Sequence, residues 1–101
     1  MEQRWYRVVG DFGHRGSGKS IDAAVFIYAK DPTSALQKYH HIPGFKRRGT
    51  YSITPLTDDE SIALEQQMSE REGSVGLYRD RWYYDFSTLP EEAIRKLNRN
   101  P

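Results

Sequence analysis

The chain has 101 residues, of which 37% are hydrophobic and 29% are charged, and its net charge is +1. This length accommodates one domain, so we expect a single domain over residues 1–101, with a core rich in aromatic side chains because the chain has seven Tyr and two Trp. The absence of cysteine excludes disulfide and thiolate sites, and the apolar runs are far shorter than the ~20 residues of a membrane helix. We therefore expect a cytoplasmic protein that does not enter a membrane.

Alternation of side chains with a period of two predicts two strands in the first part of the chain. Residues 5–12 place Tyr6 and Phe12 on one side and Trp5 on the other. Residues 21–30 are rich in β-branched and aromatic side chains, which favour strands. Because a glycine-rich segment separates the two strands, the sequence predicts an antiparallel hairpin.

A helix and a third strand are predicted next. Asp31 is a typical N-cap and Pro32 suits the first helical position, where its missing N–H has no partner to lose. The helix is therefore predicted over residues 31–42, and a Pro-Gly pair ends it. Residues 50–56 alternate again and predict a third strand.

The second half predicts two helices and an aromatic strand. Thr57 and Glu60 form a capping box before a helix over residues 58–71, whose thin apolar stripe predicts a surface position. Aromatic residues at even positions predict one or two strands over residues 75–86, and a second capping box at Thr88 opens a last helix. The predicted fold is α+β: a small antiparallel sheet with a ββαβ core, two further helices and an aromatic C-terminal strand or hairpin.

The helical and strand periodicities also predict which side chains form the core. The expected members are Tyr6, Phe12, Phe26, Leu36, Tyr39 and Tyr51. Trp82 and Tyr84 have two interpretations, because they alternate with arginines. Such rings either fill a core or stack on bases, and we favour the core for both.

The segment from Gly13 to Ser20 matches the phosphate-binding loop pattern G-x-x-x-x-G-K-S. A nucleotide-binding loop requires a helix that begins near Lys19 and a buried parallel sheet. The residues after Lys19 favour a strand instead, and 101 residues are too few for several parallel crossovers. We interpret the segment as a hairpin loop, with nucleotide binding as a minority alternative.

Positive charge is concentrated in the first half of the chain. Residues 1–50 hold nine Lys and Arg against four acids, whereas residues 51–101 hold six against ten. Basic side chains beside aromatic ones are typical of surfaces that contact phosphates and stack on bases. The candidate nucleic-acid-binding residues are Lys46, Arg47, Arg48, Arg15 and Lys19. The same asymmetry also lets the two halves attract each other, and ordinary surfaces carry adjacent basic residues too.

No catalytic, cofactor or metal site is predicted. The histidines His14, His40 and His41 lack the spacing that places two ligands on one helix face. Acids at residues 58–60 are expected where a helix begins. We therefore expect a non-enzymatic binding module for RNA or single-stranded DNA, with a protein-interaction or assembly factor that uses an exposed sheet edge as the alternative.

Several stretches of the first sixty residues carry a resemblance to a known family. They are Arg7-Val8-Val9-Gly10-Asp11-Phe12, Tyr28-Ala29-Lys30, Asp31-Pro32-Thr33-Ser34-Ala35, Phe45-Lys46-Arg47-Arg48 and Tyr51-Ser52-Ile53-Thr54. Over little more than half of its length the chain thus resembles the small archaeal large-subunit ribosomal protein LX. The resemblance implies a ββαβ domain that binds ribosomal RNA.

The hairpin interpretation predicts that the glycine-rich segment does not bind nucleotides. ATP and GTP, each with magnesium, are titrated against the wild-type protein and against Lys19→Ala. We expect no micromolar binding to either, because a loop between antiparallel strands lacks the helix N-terminus that holds the phosphates. Micromolar binding that Lys19→Ala abolishes would contradict the interpretation.

Overall fold

Four antiparallel strands form one sheet in the order β3-β1-β2-β4, and a helix packs on each of its faces. The computed structural model describes residues 3–13, 20–45, 51–70, 82–91 and 94–95. The elements are β1 (Arg4–Gly13), β2 (Ser20–Ala29), α1 (Pro32–Tyr39), β3 (Ser52–Pro55), α2 (Asp58–Glu70) and β4 (Trp82–Tyr84), with a short 3-10 turn at Phe86–Thr88. This is the α+β fold with an antiparallel sheet that the sequence predicted.

The two inner strands form the predicted hairpin. Ten residues of β1 pair with ten residues of β2, from Arg4 opposite Ala29 to Gly13 opposite Ser20. Ser20 therefore begins a strand, whereas a phosphate-binding loop requires a helix at this position. The predicted hairpin loop itself, residues 14–19, lies outside the described residues.

One face of the sheet packs against α1 and forms the larger core. Alternate residues of β1 and β2 point toward α1, and β4 adds two large aromatic rings to the same side. The buried members include Tyr6, Val8, Phe12, Val25, Ile27, Ala35, Tyr39, Trp82 and Tyr84. Trp82 and Tyr84 are 7% and 1% exposed, so the interpretation of both as core residues is confirmed.

The opposite face of the sheet packs against α2. Trp5 is only 1% exposed because Leu64 and Met68, one helical turn apart, cover it together with Tyr83. The indole Nε1 of Trp5 also donates a hydrogen bond to Glu65 at 3.1 Å. As its thin apolar stripe predicted, α2 is a surface helix that buries only these two side chains among those described.

Two residues of the predicted core do not belong to the core under α1. Phe26 is half-buried on the opposite face, because its register partner is Arg7 rather than a core residue of β1. Tyr51 retains 44% exposure, since it lies just before the short edge strand β3. By contrast, Tyr6, Phe12 and Tyr39 are buried as predicted, and Leu36 packs against them while remaining half-buried.

Side-chain hydrogen bonds begin both described helices at the predicted residues. The Asp31 carboxylate accepts from the Ser34 N–H at 2.7 Å, and this bond lowers the pKa of Asp31. In the capping box of α2, the Thr57 N–H donates to Glu60 at 2.9 Å and the Glu60 N–H donates to the Thr57 hydroxyl at 3.2 Å. The backbone N–H of Thr57 lowers the pKa of Glu60 in the same way.

The second capping box, at Thr88, was predicted wrongly. The Thr88 hydroxyl accepts from the Ala24 N–H at 2.9 Å and donates to the Asp85 carbonyl at 2.7 Å. It therefore continues the pairing of β2 beyond the end of β4, where the Asp85 N–H already donates to the Ala24 carbonyl. A hydroxyl in this position substitutes for a backbone group, which is why the motif does not cap a helix.

Strand boundaries in the second half are narrower than predicted. The third strand spans Ser52–Pro55 within the predicted range 50–56, of which residue 50 lies outside the described residues. The aromatic strand is described as Trp82–Tyr84, and residues 75–81 of its predicted range also lie outside. In the last predicted helix, Glu91, Ile94 and Arg95 are helical. None of the helices in the described part of the chain is long and apolar enough to span a membrane.

Close packing between β1 and α1 predicts the cost of enlarging Gly10. A Cβ at Gly10 would overlap the hydroxyl of Tyr39 and lie 2.9 Å from its Cζ. We expect Gly10→Ala to lower the free energy of unfolding by about 1–3 kcal/mol through overpacking. The measurement is urea denaturation followed by tryptophan fluorescence.

A double-mutant cycle with Tyr39→Phe tests this cause. Phe lacks the overlapping hydroxyl. The loss of unfolding free energy caused by Gly10→Ala should therefore be smaller by at least about 0.5 kcal/mol in the Tyr39→Phe background than in the wild type. Equal costs in both backgrounds would show that the helix does not approach Gly10 this closely.

Candidate nucleic-acid interface

The predicted nucleic-acid-binding residues belong to two segments that meet the sheet at one end. Arg15 and Lys19 fall within residues 14–19, and Lys46, Arg47 and Arg48 fall within residues 46–50, so all five lie outside the described residues. The residues that border these segments are described. They are Gly13, Ser20, Phe45 and Tyr51. Phe45 pairs with Phe12, and Tyr51 precedes Ser52, which pairs with Val9, so all four lie in the half of the sheet nearer Gly13, which we call the loop end.

Backbone pairing holds the borders of the two segments next to each other. The Gly13 N–H donates a hydrogen bond to the Gly44 carbonyl at 2.8 Å. Phe45 forms an isolated antiparallel bridge with Phe12, the residue before Gly13. Gly13 therefore lies beside Gly44, and Phe45 beside Phe12, although Gly13 and Gly44 are 31 positions apart in sequence.

The turn that precedes the second basic segment depends on a glycine. Gly44 has a φ of +94°, a conformation that side chains disfavour. A Cβ at this position would also overlap the ring of Phe12. Two independent constraints therefore favour glycine at position 44: the positive φ of its backbone and the closeness of the Phe12 ring.

A hydroxyl from the far edge of the sheet fixes the same turn. Tyr84 Oη donates a hydrogen bond to the Pro43 carbonyl at 2.9 Å. The Tyr84 ring is buried against Phe12 and stacks on Phe45, with ring centroids 6.3 Å apart in both pairs. Burial raises the pKa of Tyr84, so its hydroxyl stays protonated and able to donate well above neutral pH.

The rings beneath the turn form one aromatic cluster. Phe45 contacts Phe12 with centroids 5.2 Å apart and Tyr39 with centroids 5.1 Å apart. Both distances lie in the range where offset and edge-on ring pairs are favourable. The cluster joins β1, α1 and β4 at the point where the second basic segment begins.

Arginines neighbour aromatic residues at residues 4–6, 47–51 and 78–84, and the described rings differ in burial among these places. Beside Arg4, both Trp5 and Tyr6 are buried, and after Arg81, so are all three residues of β4. Tyr51 follows the basic segment and is 44% exposed. The periodicity of the sequence predicted that the Tyr51 ring is buried. The sequence feature that indicates its exposure is its position between a basic run and a short edge strand.

Lys38 does not join the loop end, although it precedes the basic run closely in sequence. Its Nζ donates a hydrogen bond to the Tyr28 carbonyl at 2.7 Å. Tyr28 pairs with Trp5, near the opposite end of β1 from Gly13. The ammonium group of Lys38 therefore stabilises the junction between β2 and α1.

A second surface feature lies on the other face of the sheet. A cleft of about 270 Å³ separates α2 from the strands, with Phe26, Leu56 and Leu64 among its apolar lining residues. Arg7 contributes the positive charge of the cleft and forms a 3.2 Å ion pair with Asp85. Asp85 also accepts hydrogen bonds from the backbone and hydroxyl of Ser87, so the acid that holds Arg7 is itself fixed.

Comparisons with known proteins add no assignment to this geometry. No protein-family model, characterised protein or solved structure matches the chain. The resemblance to ribosomal protein LX therefore stays a prediction. Within the described ranges, no three His, Asp or Glu side chains are grouped as metal ligands.

The buried Tyr84 hydroxyl predicts an alkaline loss of stability. Its pKa is raised in the folded state, so its contribution is complete below the ordinary tyrosine pKa of about 10 and is lost as the pH rises above that value. Tyr84→Phe should be less stable at neutral pH by about 0.5–1.5 kcal/mol, because the bond to Pro43 is missing. It should then lose less stability than the wild type between about pH 8 and about pH 11.

Ile27→Val is the matched control for this measurement. Ile27 is fully buried, and the smaller side chain costs a similar amount, about 0.5–1.5 kcal/mol, without removing a titrating group. Urea denaturation of the three proteins at both pH values gives the comparison. If Tyr84→Phe lost as much stability at high pH as Ile27→Val, Tyr84 would not be the group responsible.

Proposed function

We propose that this protein is a small non-enzymatic module that binds nucleic acid, RNA foremost, through its two basic segments. Lys46, Arg47, Arg48, Arg15 and Lys19 are the proposed phosphate contacts. The observation that carries the proposal is the hydrogen bond between Gly13 and Gly44, with the adjoining bridge between Phe12 and Phe45. Gly13 and Phe45, which border the two segments, thereby lie close together although they are far apart in sequence.

Clustering of the basic residues strengthens their electrostatic attraction for a nucleic acid. Each Lys or Arg that neutralises a phosphate releases a condensed counterion, so several cations in one region bind a polyanion more strongly than the same cations scattered. The two segments hold five of the 15 Lys and Arg of the chain. Their bordering residues also rest on an aromatic cluster, which supplies a rigid base.

The acidic helix α2 supports a particular orientation of the nucleic acid. Its sequence DDESIALEQQMSE has five acids and no Lys or Arg. This helix packs on the face of the sheet opposite α1 and covers Trp5, far along β1 from the loop end. A polyanion is repelled by such a surface, so the charge distribution favours approach from the loop end.

A protein-interaction function is the alternative, and the cleft beside α2 is the observation that favours it. Its apolar side chains suit an apolar group of a partner, and Arg7 and Glu60 supply charges of both signs to its lining. The cleft and the basic segments lie on different parts of the chain, so variants of one leave the other intact. Pull-down from native lysate with and without nuclease separates the two functions, because nuclease removes only partners held through nucleic acid.

The central test is the salt dependence of nucleic-acid binding. We expect the triple variant Lys46→Ala, Arg47→Ala, Arg48→Ala to flatten the slope of log affinity against log salt by about 2–3 units, the lower value applying to single strands. The slope is measured by fluorescence anisotropy with RNA and single-stranded DNA oligomers at several salt concentrations.

The control is Arg95→Ala, which removes one positive charge far from the basic segments in sequence. Arg95 lies in an exposed i, i+4 ion pair with Glu91, so its removal should leave the slope nearly unchanged. Absence of binding at low salt would reject nucleic acid in favour of a protein partner. A slope that survives the triple variant would keep nucleic acid but reject these residues as the contacts.

A further inference from the structure

We infer that the nucleic acid bound at the loop end is single-stranded, and that one of its bases stacks on the ring of Tyr51. The inference rests on the proposed function and specifies its substrate class. Of the large hydrophobic side chains in the described ranges, those of Ile21, Tyr51 and Ile62 are exposed, and Tyr51 is the aromatic one among them.

The position of Tyr51 couples this ring to the basic segment. It is the first described residue after residues 46–50, and Ser52 begins β3 directly after it. In sequence, the proposed phosphate contacts Arg47 and Arg48 precede Tyr51 by four and three positions.

The ring of Tyr51 is also supported from beneath. Its centroid lies 6.2 Å from that of Tyr39, with an angle of 38° between the planes. Tyr39 is 2% exposed and contacts Phe45, so the supporting ring belongs to the aromatic cluster. A ring held in this way loses little freedom when a base stacks on it, which favours binding.

Stacking on a side chain distinguishes single strands from duplexes. In a duplex the faces of the bases are covered by their neighbours, whereas an unpaired base presents a free π-face of any sequence. An exposed tyrosine beside a basic segment therefore recognises unpaired bases without selecting among them. Phosphate contacts alone would bind both forms.

The experiment compares two substitutions of Tyr51 on labelled single-stranded RNA and on the duplex of the same sequence. Tyr51→Phe retains the ring and should retain the affinity of the wild type for the single strand. Tyr51→Ile introduces a β-branched side chain, which suits extended backbone, but has no ring, and should weaken single-strand binding about 5- to 150-fold, the range for one stacked base. Binding of the duplex should change less than about twofold with either variant.

The salt dependence of binding and a control substitution distinguish loss of stacking from loss of electrostatic contacts and from a general effect of substitution. Because Tyr51 is uncharged, Tyr51→Ile should lower affinity without altering the salt slope, unlike removal of the basic residues. Ile62→Ala, at a residue 58% exposed on α2, should change neither affinity nor slope. Thermal denaturation of each variant establishes that it is folded.

The possible failures are distinct. If the wild type binds single strand and duplex alike and Tyr51→Ile changes neither, stacking on Tyr51 is wrong while nucleic-acid binding through the basic segments stands. If Tyr51→Phe weakens binding as much as Tyr51→Ile, the hydroxyl rather than the ring makes the contact, and the inference is also wrong. If neither form of RNA binds at low salt, the proposed function fails and this inference fails with it.

Discussion

The ten-residue pairing of β1 with β2 is the constraint on which the rest of the structure depends. In this register, Tyr6, Val8 and Phe12 face one helix, while Trp5 and Arg7 face the other. A shift of one residue would exchange the two faces and bury Arg7 in place of Val8. Both edge strands pair with this hairpin, and both helices pack on it, so its register sets the position of every other described element.

Much of this arrangement was predictable because local sequence determined it. Alternation in the first two strands predicted which face of β1 carries Tyr6 and Phe12, and the side chains of Asp31 and Glu60 predicted two helix starts. These features depend on residues a few positions apart. The exposure of Tyr51 and the half-burial of Phe26 depend instead on which strand lies at an edge and on cross-strand register, which periodicity does not specify.

The candidate site likewise combines features that local sequence predicts with contacts that only the folded structure reveals. Composition alone drew attention to the basic run at Lys46, but the contacts that hold its border come from residues distant in sequence. Tyr84 donates its hydrogen bond to Pro43 across 41 positions, and Gly13 donates to Gly44 across 31. No pattern within either segment predicts these contacts, because each is created by tertiary packing around the Phe45 ring.

The outer strands of the sheet are much shorter than the inner ones, with four residues in β3 and three in β4 against ten in each strand of the hairpin. Beyond β4, the Thr88 hydroxyl accepts a hydrogen bond from the backbone N–H of Ala24. Beyond β3, Phe45 forms a β-bridge with Phe12. The long strands therefore present few free backbone groups to another chain, and Pro55 removes one more donor from the outer edge. Blunted edges of this kind let copies of the chain crowd together at high concentration without joining their sheets into aggregates.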